Sequence, residues 1–418
     1  MRNKRDTDKK DDRIIDVSGD VAWIGVLDYD IVTFDVVMQT DYGTTYNSYF
    51  INAEKKTIIE GVKKKFSNVQ ISKLRTLTDL SEIKYIVLDH TEPDHSGNVT
   101  ELLELSPEAT VVGSGNAIRY LGDMINKPFR SLIVKDGDTL DLGNKKLKFI
   151  SAPNLHWPDS MFTYLVEDKI LFTCDFFGAH YCSNEMITDF SDDYLTAYKY
   201  YFDVIIRPFS RFAERALDKI DNLEIRAICP GHGTIHTENV NDIISLTDRY
   251  VKNYLNLTRP GEKKKVLIVY VTAYGYTRIM GEKIAEGIRE TEGINVELMD
   301  IEEMPLGDLE SELIQADAVL VGSPTINQNT LLPVYRLFSV INPLRDKLKV
   351  AGSFGSYGWS GEAPKIINDT LRNLKFKVYE ETAAFKFYPG PEKSALLVDF
   401  GRRFGQFVKS ECYQKTQQ

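Results

Sequence analysis

Residues 85–98 read YIVLDHTEPDHSGN, and the first half of the chain is interpreted from this stretch. A run rich in apolar and β-branched residues, strand-like in composition, ends directly in His90-Thr91-Glu92-Pro93-Asp94-His95. His90, Glu92, Asp94 and His95 can each bind a metal and lie almost side by side. In extended chain, alternate side chains point the same way, so His90 and Glu92 serve one ion. Asp94 and His95 can then serve a second ion nearby.

The chain has only six histidines. His156, in SAPNLHWPDS, and His232, in ICPGHGT, each follow a strand-like run, where functional groups collect on a rigid scaffold. Asp175 follows another such run, ILFTC. A lone histidine in such a loop is more often structural, but these four are joined by Glu92, Asp94 and Asp175. His156 and His232 each complete one ion, and the two oxygens of Asp175 can bridge the pair. A mixed shell of imidazoles and carboxylates with an open position suits redox-active iron, whereas an all-nitrogen shell suits zinc. His180, in FFGAHYC, is placed either behind a ligand or in a structural role, and His236 in a structural one. Trp157, Phe176 and Phe177 flank ligands, and core packing is their default role.

The texture changes after residue 265. KVLIVYVTA, INVELMDIEE, ADAVLVGSPT, KVAGSFGSYG and KFKVYEETAAF have strand composition, with helical patterns such as GEKIAEGIRETEG between them. That alternation implies a parallel sheet covered on both faces. Between the first of these strands and its helix lies Thr272-Ala273-Tyr274-Gly275-Tyr276-Thr277, a hydroxyl- and glycine-bearing loop suited to an anion at a helix N-terminus. The chain has neither the G-x-G-x-x-G of a dinucleotide site nor a Walker lysine here, so a monophosphate such as that of FMN fits. Two more loops end later strands. One holds Ser323, Pro324, Thr325, Ile326 and Asn327; the other holds Ser356, Tyr357, Gly358, Trp359, Ser360 and Gly361. Both fall at the carboxyl edge of the sheet, where open α/β folds bind ligands. Tyr357 and Trp359 can stack on a flavin ring, and Tyr274 can reach toward a neighbouring subunit.

Composition narrows the field. A chain of 418 residues with 43% hydrophobic content can build two or three domains of roughly 150 residues each. A net charge of −10 argues against nucleic acid as a partner. No apolar run is long enough to span a membrane, and the charged start MRNKRDTDKKDDR does not resemble a signal peptide. Four scattered cysteines, Cys174, Cys182, Cys229 and Cys412, form no C-x-x-C pair, so a disulfide framework and a rubredoxin-type site are not expected, and the cytoplasm is. The expected organisation is a disordered tail over 1–13, a first domain over 14–255, a linker over 256–265 (NLTRPGEKKK), a second domain over 266–410 and a tail over 411–418.

The order His-x-Glu-x-Asp-His, then His, Asp and His at long spacings, resembles the diiron site of the flavodiiron proteins, type A. The three later loops resemble the flavin-contacting loops of the same family, and the likeness runs from about residue 14 to 410. Zinc hydrolases of the metallo-β-lactamase fold carry a similar first cluster with histidine in place of Glu92. The extra carboxylate moves the site toward iron. The resemblance implies an α/β and α+β chain of two domains: an N-terminal αββα metallo-β-lactamase-like sandwich and a C-terminal flavodoxin-like doubly wound parallel sheet. It implies two iron ions, FMN, and reduction of dioxygen to water. Reduction of nitric oxide to nitrous oxide is the alternative, and zinc hydrolysis a more distant one. It further implies an external donor (rubredoxin, an NAD(P)H-linked reductase or a reduced deazaflavin). The expected assembly is a head-to-tail homodimer or a dimer of dimers, with one subunit's flavin beside the other's diiron site.

Overall fold

The computed structural model describes residues 13–34, 38–188, 190–257 and 263–414. The chain divides into two compact units between Tyr254 and Leu255. The tail expected over 1–13 lies outside the described residues up to residue 12. Within the expected linker, residues 256–257 end the helix Val240–Leu257 and residues 264–265 open the strand Lys264–Tyr270. Residues 258–262 lie outside the described residues. The segment 411–414 is helical, as the end of Pro391–Gln414, because no proline or glycine follows Gly405 to stop that helix. Residues 415–418 lie outside the described residues.

The first unit is an αββα sandwich. One sheet is mixed and seven-stranded; its inner strands include Tyr49–Ile51, Lys56–Ile59, Ile83–Leu88 and Thr110–Gly113. The other has five strands and includes, in order, Lys146–Ser151, Met161–Leu165, Ile170–Cys174 and Ala227–Pro230. Strand alternation sorts the side chains. Val87, Val112, Leu147, Phe149, Ile170 and Phe172 join Trp23 and Tyr49 in the core between the sheets. Ile58, Ile86, Leu88 and Val111 point the other way, onto Ile71 and Leu74 of helix Ser67–Leu77 and Leu121 of helix Gly115–Ile125. The turn at Asp168-Lys169 closes the expected hairpin, with Lys169 in the left-handed region at φ 60°. Lys146–Ser151 is antiparallel to Met161–Leu165, which is antiparallel to Ile170–Cys174; the latter is parallel to Ala227–Pro230. Three carboxyl ends therefore share one edge of this sheet.

The second unit has the strand order of a doubly wound sheet. Lys264–Tyr270 lies between Ile294–Asp300 and Ala318–Gly322, and Val350–Tyr357 follows, all parallel. One face buries Val266, Ile268, Leu320 and Phe354 against Met280, Ile284, Phe400 and Phe404. The other buries Leu267, Val269, Val319 and Val321 against Leu309, Leu313, Leu337 and Ile367. The segment KFKVYEETAAF, expected as one strand, forms two short ones, Lys377–Val378 and Ala383–Lys386, both paired with Val350–Tyr357. The edge strand spends residues 379–382 covering what Gly352 and Ser353 cover in its partner. Surplus residues cannot stay in the ladder, so they loop out.

Candidate functional site

The loops after Ile83–Leu88, Lys146–Ser151, Ile170–Cys174 and Ala227–Pro230 bring His90, Glu92, Asp94, His95, His156, Asp175 and His232 into one cluster. Glu92 is the residue before the short helix Pro93–Ser96, with Pro93 pre-set for its first turn. That turn carries Asp94 and His95 to the far side of the cluster from Glu92. Asp175 is aimed by a local distortion: the ladder register shifts between Phe172 and Cys174, and Cys174 sits at φ 47°. Beside it, a side chain on Gly231 would meet His95 Cε1 at 2.6 Å, so only glycine lets His232 follow so closely.

Asp175 divides its oxygens between two groups. Its Oδ2 lies 3.0 Å from His156 Nε2 and 3.5 Å from His90 Nε2. Glu92 Oε2 lies 3.2 Å from each of the same two nitrogens. Its Oδ1 lies 3.2 Å from His95 Nε2 and 3.6 Å from His232 Nε2. Asp94 Oδ2 lies 3.5 Å and 3.1 Å from those nitrogens. All four histidines thus present Nε2 inward, toward three carboxylates. The Asp94 group is buried, whereas Glu92 and His156 remain about 20% exposed and mark the accessible side.

The opposite ring nitrogens are held from behind. His90 Nδ1 is 3.2 Å from Asp159 Oδ1, and Asp159 Oδ2 accepts from the Thr91 N–H and hydroxyl. His232 Nδ1 is 2.5 Å from the Thr45 carbonyl, and Asn47 donates to the carbonyls of Pro230 and Gly233 around it. His95 Nδ1 is 3.5 Å from Cys174 Sγ. Such partners set the tautomer and ring plane of a metal-binding imidazole. None of Asp159, Thr45 and Asn47 was singled out from the sequence. Asp159 had a signal, lying three residues after His156; Thr45 and Asn47 reach the site through backbone and amide contacts that no motif records.

Electrostatics match two cations. Burial opposes ionised Glu92, yet hydrogen bonds from His156 and His90 lower its pKa to about 2. Burial likewise opposes charge on Asp175, and His95 and His156 hold it well below the usual range. Burial favours neutral His95, yet Asp94 and Asp175 raise it to about 10. For His156, Asp175 and Glu92 overcome burial and raise it to about 9. In the metal-free protein, protons on these imidazoles balance the carboxylates, and bound metal would replace them. The donor set of four imidazoles, two terminal carboxylates and one divided carboxylate fits a pair of iron ions.

Further groups stand behind the cluster. Buried Tyr201 donates to Asp175 Oδ1 at 3.0 Å; burial and then Asp175 raise its pKa, so the phenol keeps its proton. It lies where the helix Asp192–Tyr201 widens into the π-turn Phe202–Ile206. Burial lifts Glu60 to about 7 and, with Glu60 adjacent, lifts Asp89 well above the carboxylate range. His180 packs on Phe34, Tyr201 and His232 and places Nδ1 2.9 Å from the Thr44 hydroxyl. It borders a cavity of about 180 Å³ that also meets Tyr42 and Tyr200. His236 is buried against Phe190 and Tyr194, and burial lowers it to about 4. Phe176 and Phe177 pack in the core, and Trp157 lies 5.1 Å from the His90 ring.

In the second unit, three loops lie together at the carboxyl ends of adjacent strands. Thr272, Ala273, Tyr274 and Gly275 lead into helix Tyr276–Arg289, whose N-terminus has no side-chain cap. Gly275 holds φ 81° there. The Thr272 hydroxyl is buried with no hydrogen-bond partner among the described residues, and the Thr277 and Ser356 hydroxyls lie 2.9 Å apart. Unpaired N–H groups and a free buried hydroxyl fit a phosphate. The other two loops are tied together: Thr325 N–H donates to the Ser356 carbonyl, and Ala363 N–H to the Thr325 hydroxyl. Ser323 is buried, its hydroxyl donating to the Pro324 carbonyl. Ile326 pairs with Asn329 across a turn in which Asn327 takes φ 54°. Tyr357 stands beside Gly361, Gly358 and Ser360 are half-buried, and Trp359 is 77% exposed. These groups fit FMN.

Comparisons with known proteins cover both units. The family model described as ODP family beta lactamase matches residues 44–233, and the flavodoxin model matches 268–400. Flavo-diiron protein FprA2 of Clostridium acetobutylicum is 36% identical over 94% of this chain and 99% of its own length. The anaerobic nitric oxide reductase flavorubredoxin of Escherichia coli O1:K1 is 33% identical over 93% of this chain and 81% of its own. The solved rubredoxin oxygen:oxidoreductase of Desulfovibrio gigas is 27% identical with a TM-score of 0.68, over 96% of this chain and 100% of that one.

Proposed function

The chain belongs to the flavodiiron proteins, oxidoreductases carrying FMN and a non-haem diiron centre, and we propose that this one reduces dioxygen to water. The division of Asp175's two oxygens between the two histidine–carboxylate groups carries the reading. When bound, the iron pair supplies the redox chemistry and FMN supplies its electrons. The chain's own residues set the conditions. His90, Glu92 and His156 would hold one ion, Asp94, His95 and His232 the other, and Asp175 both. Glu92, Asp94 and Asp175 stay ionised at neutral pH, so they offer charge to cations without losing protons. Asp159 and the Thr45 carbonyl fix two imidazoles in place. Tyr201 holds a proton at the oxygen facing Asp175. Thr272, Thr277, Ser356 and the uncapped helix N-terminus would hold the FMN phosphate, with Tyr357 and Trp359 against the ring.

Dioxygen is favoured by the solved neighbour named as an oxygen oxidoreductase, which this fold matches over its full length. The relative named as a nitric oxide reductase supports the second reading, coupling of nitric oxide to nitrous oxide. Anaerobically reduced protein mixed in stopped flow with each gas separates them. Faster reoxidation by dioxygen is expected, and faster turnover with nitric oxide overturns the assignment. We assign the electrons to an external donor, rubredoxin or an NAD(P)H-linked reductase. We further propose a head-to-tail homodimer in which one subunit's flavin serves its partner's irons. A monomer in sedimentation that turns over at full rate would remove the dimer from the reading.

A further inference from the structure

We propose that a fourth loop, which begins at Phe387 after the edge strand Ala383–Lys386, forms part of the flavin site, with Phe387 and Tyr388 as an aromatic wall against bound FMN. The inference rests on the reading above that FMN occupies the three loops next to it. Two observations single this loop out. Phe387 sits at φ 52°, in the left-handed region. A bulky aromatic residue rarely takes that conformation, and such strain persists only where the surroundings impose it. Phe387 and Tyr388 are also 59% and 57% exposed, so in the protein alone neither ring gains the burial that would offset the strain.

The loop is held, not loose. Phe387 N–H donates to the Tyr357 carbonyl at 2.9 Å, and Gly390 N–H to the Tyr388 carbonyl. The Ser394 hydroxyl donates to the Pro389 carbonyl at 3.0 Å. The two rings are therefore presented in fixed places. The Phe387 ring lies 3.5 Å from where a side chain on Gly358 would start, in the loop that carries Trp359. The Tyr388 ring meets Tyr276, the first residue of the helix behind the phosphate loop, edge to face at 6.2 Å between centroids. Tyr276 in turn lies 6.5 Å from Tyr274. Tyr274, Tyr276, Tyr388, Phe387 and Trp359 thus run as one aromatic rim from the anion site to the glycine-rich loop. A flat, mostly apolar ring system with a phosphate at one end matches a rim that begins at a helix N-terminus and continues as aromatic faces.

The test removes FMN from the full-length chain and titrates it back, following flavin fluorescence. Phe387→Leu with Tyr388→Leu keeps apolar bulk and removes the flat faces; FMN binding is expected to weaken by about tenfold. Phe387→Tyr should hold wild-type affinity. Phe387→Gly should weaken FMN binding while the melting temperature of the FMN-free protein stays level or rises, since glycine accepts the left-handed backbone. A purely structural Phe387 would give the reverse, a lower melting temperature with FMN affinity unchanged. Thr272→Ala and Trp359→Ala serve as controls on the site. If they weaken FMN binding and the Phe387 and Tyr388 variants do not, the fourth loop is excluded while the flavin site stands. If none of them does, the flavin-site reading itself fails. A shift in sedimentation with FMN affinity unchanged would assign the rim to a second copy of the chain and overturn the proposal.

Discussion

The metal cluster and the flavin loops solve opposite packing problems. Asp175 is 3% exposed and already lies within contact distance of four imidazoles, while Trp359 and Tyr274 stand about four-fifths in solvent. In the first unit most of the polar groups pair with one another: carboxylates hold histidines inside, and Asp159 and the Thr45 carbonyl hold two of them from behind, although Asp94 Oδ1 has no hydrogen-bond partner among the described residues. In the second, the rings and hydroxyls await a ligand, as the free Thr272 hydroxyl shows. Buried charge must be paired to exist at all, so the metal site is preorganised before metal arrives. Exposed aromatics carry no such penalty, so a ligand can complete the flavin site.

That contrast can be tested by removing its parts in turn. Asp175→Ala should have the largest effect. It removes the one group that both ions would share, and oxygen-reduction rate is expected to fall by about 10³-fold or more, with iron content halved or lost. Steady-state oxygen consumption and metal analysis check this, and retained activity would break the bridging role. Asp159→Ala should lower iron affinity by about 10–100-fold while leaving the seven inner residues in place. A chelator competition measures it, and an unchanged affinity would mean that His90 needs no support.

The pH dependence has a definite sign. His95 raised to about 10 and His156 raised to about 9 are protonated at neutral pH in the metal-free protein, one in each half of the cluster, and His90, beside His156, is raised as well, its burial outweighed by Asp159 and Glu92. Each ion must therefore displace at least one proton, and iron(II) retention should weaken by at least about tenfold per ion for each unit the pH falls below 9. Equilibrium dialysis from pH 9 down to pH 6 reads it, and a flat profile would show that the carboxylates do not hold those protons. The smallest effect is expected in the flavin unit. Thr272→Ala should weaken FMN binding by about tenfold, the worth of one hydrogen bond to a charged group. Metal content should not change, because the substituted group lies in the other unit.

The seven inner residues were legible because metal binding is confined to a few side-chain types. Clustering of scarce histidines at strand ends is hard to produce by packing alone. Their division into two sets followed from two-residue periodicity at His90 and Glu92, and in the structure His90 lies beside Glu92 and His95 beside Asp94. Tyr201 was not legible. It lies in an aromatic run of a helix, and only the folding of that helix over the Ile170–Cys174 strand end makes its hydroxyl a neighbour of Asp175. Glu60 and Asp89 were missed for the same reason: a carboxylate one residue before His90 and another in a separate loop look like ordinary surface residues until burial raises both. The split edge strand was misjudged because composition records strand preference and not how many residues its partner can pair.

The sequence by itself determined the chemistry on offer: which side chains can bind iron, which loops can take a phosphate, and where strands end. These depend on residue type and short-range spacing, which survive without knowledge of the fold. The tertiary structure alone decided how that chemistry is held. It aimed Asp175 through a bulge at Cys174, set Asp159, Thr45 and Tyr201 behind the cluster, and brought Phe387 and Tyr388 to the flavin rim. Those relations join residues far apart in the chain, and only packing of the sheets and burial of their charges brings them together.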